Sequence, residues 1–301
     1  MKYHNQKFFG IIFTFLAFIL ILAACSNKTA STNPDKIKIV TTTDFYADAA
    51  KTIIGNKGSV TSIINSPSVD PHDYEPTTNV AKIVTKADFV IANGLGYDAW
   101  MDKLNTNGQY IKIGEKIMHK KIGDNPHIWY DPQTMIRYTN YLTKKLSQKY
   151  PQDKAYFEKN AQKYLTTLEP VQNELIQLKK AAQKLPNKNV YVSEPVFDYS
   201  LAAIGLKVTN QKFEAAIENG TDPSPAVIKD MQKEITDKQI ALFVLNTQAD
   251  SNIVENMVKR VQKQQLPILK VTETLPQGKN YQSWMLSQYQ ALNKILKSES
   301  K

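Results

Sequence analysis

Residues 36–64, "KIKIVTTTDFYADAAKTIIGNKGSVTSII", place a β-branched run (36–43), a helix-like stretch (44–54) and a second β-branched run (60–64) in succession. Runs rich in Ile, Val and Thr suit a pleated strand, and a helix between two such strands builds a parallel sheet. Outward from there, "TNVAKIVTKA" (78–87) reads as helix, and "DFVIANG" (88–94) and "YIKIG" (110–114) read as strands. A second series repeats the pattern with "NVYVSE" (189–194), "LKVTN" (206–210), "IALFVLN" (240–246) and "PILKVTE" (267–273). The helix-like stretches "FDYSLAAIG", "PAVIKDMQKEITD" and "NIVENMVKRVQKQ" separate those strands. The expected fold class is therefore α/β, with two lobes that each hold a mainly parallel sheet flanked by helices.

A different segment, residues 133–186, lies between the two series. From Phe157 apolar residues recur at Ala161, Tyr164, Leu165, Leu168, Val171, Leu175, Leu178, Ala182 and Leu185, a single stripe at helical spacing. At 1.5 Å per residue such a helix runs roughly 45 Å, enough to cross both lobes. Pro170 removes a backbone donor, so a kink or break is expected there. A rigid helical connector predicts only a limited opening of the lobes.

The N-terminus is set aside from the fold. Lys2 and Lys7 precede the apolar run "FFGIIFTFLAFILILAA" (8–24), which ends in small residues before Cys25, the only cysteine. That pattern reads as a lipobox, with a lipid-bearing Cys25 as the new N-terminus after cleavage. A lone cysteine there excludes structural disulfides and cysteine metal sites. The polar "SNKTASTNPDK" that follows reads as a tether. The expected organisation is a signal peptide (1–24), a lipid-anchored tether (25–35), an N-terminal lobe (36–132), a helical connector (133–186) and a C-terminal lobe (187–301). Loss of residues 1–24 removes two lysines and no acids, lowering the formal charge from +10 to +8. The lysines are scattered and no aromatic-basic motif appears, so nucleic acid is not an expected partner. They read as a solvated face near an anionic envelope.

Ligands of doubly wound α/β domains bind beyond the carboxyl ends of strands. Four such positions carry metal-binding atoms: His72 in "SVDPHDYEP", His127 in "GDNPHIWYDP", Glu194 in "VYVSEPVFDY" and Glu273 in "ILKVTETLP". Two imidazoles and two carboxylates suit a divalent ion such as zinc or manganese. Each also has a plainer reading. His72 beside Asp70, Asp73 and Glu75 fits a surface histidine among acids; His127 fits a cap of the connector. Glu194 fits a first-turn acid of the following helix, and Glu273 a polar turn. Enzyme readings have little support: there is no H-E-x-x-H pair, no G-x-S-x-G elbow and no Walker-type glycine loop.

The lipobox, "DPHDYEP", "NPHIWYDP", "SEPVFDY" and "VTETLP", in this order, resemble the cluster A-I metal-binding lipoproteins, the substrate-binding components of zinc and manganese ABC importers. The likeness spans about residues 36–297, and "NGLGYDAWMDKL" (93–104) is similar to the family's segment after its third strand. It implies two α/β lobes joined by a long helix, with Zn2+ or Mn2+ held between them as transported ligand. The family ligands fall on His72, His127 and Glu194, and the fourth, usually an aspartate, on Glu273; Glu214 and Glu218 in "FEAAIENG" are acidic alternatives. The chain lacks the long His-rich and acid-rich loop of many zinc-specific members. The implied protein is a monomeric, non-catalytic receptor on the extracytoplasmic face of the cell membrane, partnered by an importer permease. Rival readings are a lipid-anchored surface adhesin of the same fold and a secreted metalloenzyme.

Overall fold

The computed structural model describes residues 36–299 other than Asp73 and Asp250; Cys25 and the whole of the expected signal peptide (1–24) and tether (25–35) lie outside the described residues. The opening stretch folds as read. Strand β1 (Ile37–Thr43) leads directly into helix α1 (Asp44–Ile54), and β2 (Gly58–Ile64) returns parallel to β1. Helix α1 buries Phe45, Tyr46, Ala49, Ala50 and Ile53 on one face, the periodicity of an amphipathic helix on a sheet. Helix α2 (Thr78–Thr85), capped by the Thr77 hydroxyl, leads to β3 (Phe89–Ala92) and then β4 (Gln109–Lys112). All four strands are parallel, in the order β2-β1-β3-β4. Strand β3 is buried along its whole length, as a parallel strand covered on both faces must be.

The second series repeats this plan. Strands β5 (Asn189–Val192), β6 (Lys207–Val208), β7 (Leu242–Asn246) and β8 (Ile268–Val271) form a parallel sheet in the order β6-β5-β7-β8. After the short α3 (Ile113–Lys116), the connector comprises α4 (Thr134–Lys149), α5 (Lys154–Thr167) and α6 (Glu169–Gln183). Leu168 alone separates α5 from α6, and Pro170 sits in the first turn of α6, where its missing N–H removes no intrahelical bond. The expected break at Pro170 thus falls two residues earlier. Helix α5 packs with α4 against α1, beside the first sheet.

The second lobe adds α7 (Asp198–Ile204), α8 (Gln211–Glu218), α9 (Pro225–Thr236), α10 (Asn252–Lys263) and α11 (Tyr281–Glu299). Helices α8 and α11 go beyond the elements expected from sequence. Helix α6 packs on α11 and α7. From α11, Trp284 reaches Phe45 at 5.9 Å and Tyr130 at 5.6 Å between ring centroids, and the Tyr281 hydroxyl donates to the Trp129 carbonyl at 2.7 Å. One apolar core consequently runs from Ile37 through the connector to Leu296. Each fully buried large aromatic in it contributes about 2–3 kcal/mol of transfer free energy. Among the described residues no helix is long and apolar enough to cross a membrane.

Candidate metal centre

Loops from both sheets meet at their carboxyl ends. His72 lies between β2 and α2, His127 between α3 and α4, and Glu273 two residues past β8. One ligand atom from each of these three lies within 4.8 Å of the others. His127 Nε2 is 3.8 Å from Glu273 Oε1. Glu218, the last residue of α8, stands between the histidines: its Oε1 is 3.6 Å from His72 Nε2 and 3.7 Å from His127 Nε2. Donors sharing one tetrahedral cation through bonds of about 2.1 Å are separated by about 3.4 Å, so the observed separations are a few tenths of an ångström wide.

The local scaffolding explains these positions. Asp70 Oδ1 accepts the His72 N–H at 2.8 Å, closing a tight turn, and Trp100 Nε1 donates to the Pro71 carbonyl at 3.2 Å. His127 is fully buried, and its ring is oriented by Asn125. Asn125 Oδ1 accepts the His127 backbone N–H and lies 2.9 Å from His127 Nδ1, while its Nδ2 donates to the Pro195 carbonyl at 2.6 Å. An oxygen that only accepts requires the proton on Nδ1. The lone pair then sits on Nε2, which is buried and has no hydrogen-bond partner. Burial, then the neighbouring His72, holds the His127 pKa down to about 3, so the ring is neutral, as a metal ligand must be. The expected capping role is absent: His127 precedes the turn Ile128–Tyr130 without a side-chain cap bond.

Glu273 is held from the opposite lobe. The Tyr97 hydroxyl donates to Glu273 Oε1 at 2.9 Å. Tyr97 follows a loop in which Gly94, Leu95 and Gly96 all have positive φ, and the buried Asp98 carboxylate anchors it through the N–H groups of Asn93 and Gly94 and the Thr42 hydroxyl. Gly94 has φ +82°, a left-handed conformation in which other residues are strained, and a Cβ there would also displace the Glu115 carboxylate. Gln248 Oε1 accepts the Glu273 and Thr274 N–H groups, and its Nε2 donates to the Pro67 carbonyl at 2.6 Å, bridging the lobes. A cavity of about 300 Å3 lined by Pro67, Asp70, Gln248 and Glu273 opens beside the donors.

Glu194 stands differently from its expected place. It is outside the three-donor group, and its Oε2 accepts from Asn246 Nδ2 at 2.7 Å. It also lies before α7, whose first-turn acid is Asp198, so the helix-dipole reading of Glu194 fails as well. Asp73 lies outside the described residues. Burial raises all three glutamates. Glu218 is pushed to about 8, with Glu273, Glu194 and Asp70 adding repulsion, and Glu273 to about 7 despite the Tyr97 bond. Glu194 is raised by burial and by Asp70, against the Asn246 bond. Such crowding of acids leaves the centre short of positive charge, the condition a divalent cation relieves. Glu218, an acidic alternative in the sequence, stands beside both histidines, whereas Asn125, Tyr97 and Gln248 are candidate site residues that the sequence reading did not single out. The local signs were the glycine-rich "NGLGYD" (93–98), which contains Tyr97, and "NPHIWYDP", which opens on Asn125.

Residues 39–295 match the protein-family model described as zinc-uptake complex component A, periplasmic. The chain is 29% identical over 280 residues to the manganese ABC transporter substrate-binding lipoprotein PsaA of Streptococcus pneumoniae, with 86% of each chain covered. It is 28% identical over 278 residues to the metal ABC transporter substrate-binding lipoprotein FimA of Streptococcus parasanguinis, again with 86% of each covered. In fold it resembles the periplasmic zinc binding protein TroA from Treponema pallidum, with TM-score 0.69 and 20% identity over 87% of this chain and 99% of that one. The SBP FpvC from Pseudomonas aeruginosa in complex with Mn2+ gives TM-score 0.68 and 19% identity over the same shares. With the match running through both parallel sheets and the connector, the chain belongs to the family of zinc-uptake complex component A, periplasmic.

Proposed function

We propose that this chain captures a divalent transition metal, zinc or manganese, in the crevice between its lobes and delivers it to the permease of an ABC importer. The observation that carries this reading is the convergence of His72, His127 and Glu273 from three separated loops, with a fully buried His127 nitrogen left without a partner. In this reading His72, His127 and Glu273 hold the cation, and Glu194 joins them through Oε1, with Asn246 orienting the carboxylate at Oε2. The ion is cargo, so no bond is made or broken in it and the protein is not an enzyme. Neutral imidazoles and carboxylates that release their protons on binding supply both lone pairs and charge.

The division into lobes at 36–132 and 187–301, with 133–186 as connector, describes the parts whose small relative motion opens the crevice. Interlobe bonds such as Tyr97 to Glu273 and Gln248 to Pro67 are the ones that opening must break. We further infer that Cys25 carries a lipid anchor that holds a monomer at the outer face of the membrane, within reach of the permease. The relatives and neighbours include proteins named for manganese and for zinc, and the Irving–Williams order makes zinc the more tightly bound ion in a test tube.

Calorimetric titration of the metal-stripped mature protein tests the reading. One divalent ion is expected to bind per chain, and His72→Ala and His127→Ala are each expected to weaken it at least tenfold, each losing a bonding atom. No tight binding by the wild type, or wild-type binding by both variants, refutes it.

A further inference from the structure

We propose that Glu218 is an inner-sphere ligand of the cargo ion, an oxygen donor additional to the motif-borne residues, which raises the coordination number above four. The proposal rests on the metal-receptor reading and extends it to metal selectivity.

Geometry carries it. Glu218 Oε1 is nearly equidistant from the two imidazoles, 3.6 Å from His72 Nε2 and 3.7 Å from His127 Nε2. Neither separation is a hydrogen bond, which would bring nitrogen and oxygen to about 2.7–3.2 Å. They are close to the separations of atoms bound to one metal. His127 Nε2 is buried, has no hydrogen-bond partner, and faces Glu218 and Glu273 at similar distances. Glu218 and Glu194 both stand outside the group formed by His72, His127 and Glu273, but Glu194 has one oxygen engaged by Asn246 whereas Glu218 Oε1 faces both imidazoles.

The placement of Glu218 makes little sense as a device for stability. It ends α8, where the negative end of the helix dipole disfavours a carboxylate. Among the described residues no lysine or arginine forms an ion pair with Glu218, Glu273 or Glu194. The helix end is nevertheless tied down. Asn219 Nδ2 donates to the Ala215 carbonyl at 2.6 Å, and the Thr221 N–H and hydroxyl both donate to the Ala216 carbonyl. A carboxylate fixed in an unfavourable place, aimed at two imidazole nitrogens, is accounted for by a cation between them.

Two imidazoles with Glu273, Glu194 and Glu218 form an oxygen-rich set. Zinc settles readily into four-coordinate sites, whereas manganese favours higher coordination with carboxylate oxygen. Glu218 therefore supports manganese more than zinc.

The test uses metal-stripped mature protein, the isosteric Glu218→Gln variant and His127→Ala, titrated separately with Co2+, Mn2+ and Zn2+. Cobalt reports geometry through its visible bands, which are weak in five- or six-coordinate sites and intense in tetrahedral ones. Expected are weak bands in the wild type that intensify several-fold in Glu218→Gln, with Mn2+ affinity falling about tenfold or more and Zn2+ affinity falling less. An unchanged cobalt spectrum in Glu218→Gln overturns the proposal whatever the affinities do, because a merely electrostatic role would weaken all three metals without altering geometry. Should Glu218→Gln misfold, Glu218→Asp, shorter by one methylene, is judged by the same spectrum. Wild-type binding by His127→Ala would overturn the receptor reading itself; its loss beside an unaltered Glu218→Gln would overturn this proposal alone.

Discussion

Asn125 offers a sharp test of how the centre is built. Its Oδ1 serves both the backbone N–H and Nδ1 of His127, and its Nδ2 reaches across to the Pro195 carbonyl, the residue after Glu194. Asn125→Ala removes these interactions and leaves the Nδ1–H of a fully buried ring without an acceptor. Hydrogen bonds contribute about 0.5–1.5 kcal/mol each, and an orphaned buried donor costs about 1–3 kcal/mol, so a loss of about 2–4 kcal/mol is expected. At roughly 2–4 °C per kcal/mol for a chain of this size, the melting temperature of the metal-free protein should fall by about 4–16 °C. The ring is then free to rotate or to exchange tautomers, and removing such an orienting group weakens metal binding by about 10–100-fold. Asn125→Asp separates the two effects. A carboxylate still accepts from Nδ1 and the backbone, so affinity should recover to within severalfold of wild type. It cannot donate to the Pro195 carbonyl and sets oxygen against oxygen there, so the melting temperature should stay low. Calorimetric titration and differential scanning calorimetry read the two quantities separately. Wild-type metal affinity in Asn125→Ala would refute the orienting role, and wild-type stability in Asn125→Asp would refute the bridge between lobes.

Metal affinity should rise with pH. Protons held by Glu218 (about 8) and Glu273 (about 7) must leave when the ion binds, so affinity should fall about tenfold per proton per pH unit below those values, as titrations at pH 6, 7 and 8 will report. The metal-free protein should behave oppositely. Glu218, Glu273, Glu214 (about 8), Asp198 (about 7) and Asp44 (about 6) hold protons in the folded state that the unfolded chain releases near pH 4–4.5, so folding stability is lost as pH rises toward 8. His127, pushed down to about 3, works the other way below about pH 6.5 but is a single group. A melting temperature without metal that climbs between pH 5.5 and 8 would contradict this balance, and added zinc should stabilise most at pH 8. Tyr97→Phe deletes the hydroxyl bonded to Glu273, and a loss of metal affinity of about three- to tenfold is expected by calorimetry, from the roughly 0.5–1.5 kcal/mol of one ordinary hydrogen bond. Gln248→Ala severs the link from the Glu273 turn to Pro67, and stopped-flow chelation should show faster metal release with little change in capture.

The alternation of β-branched runs with amphipathic stretches determined the two parallel sheets, because strand and helix periodicities are local properties of the chain. The opening stretch shows this directly: α1 spans the "DFYADAAKTII" read as helix, and its core-facing residues follow from spacing alone. The connector stripe and the interruption near Pro170 were legible for the same reason. His72 and Glu273 were legible as donors because their motifs follow strands, and His127 because its motif fills the loop before the connector, yet no spacing states that donors some 200 positions apart in the chain meet. Glu218 was legible only as one of two acidic alternatives in "FEAAIENG", because nothing local separates it from Glu214. Its position between two imidazoles arises only when α8 docks on the second sheet and that sheet meets the first. Asn125 likewise gains its role from Pro195, a partner 70 positions away. Glu194 makes a related point: its motif marks it as a donor, but only the fold sets Asn246 of the neighbouring strand against one of its oxygens. The sequence by itself determined which atoms can bind a metal; long-range packing decided which of them converge, because convergence is a property of the distances that folding creates.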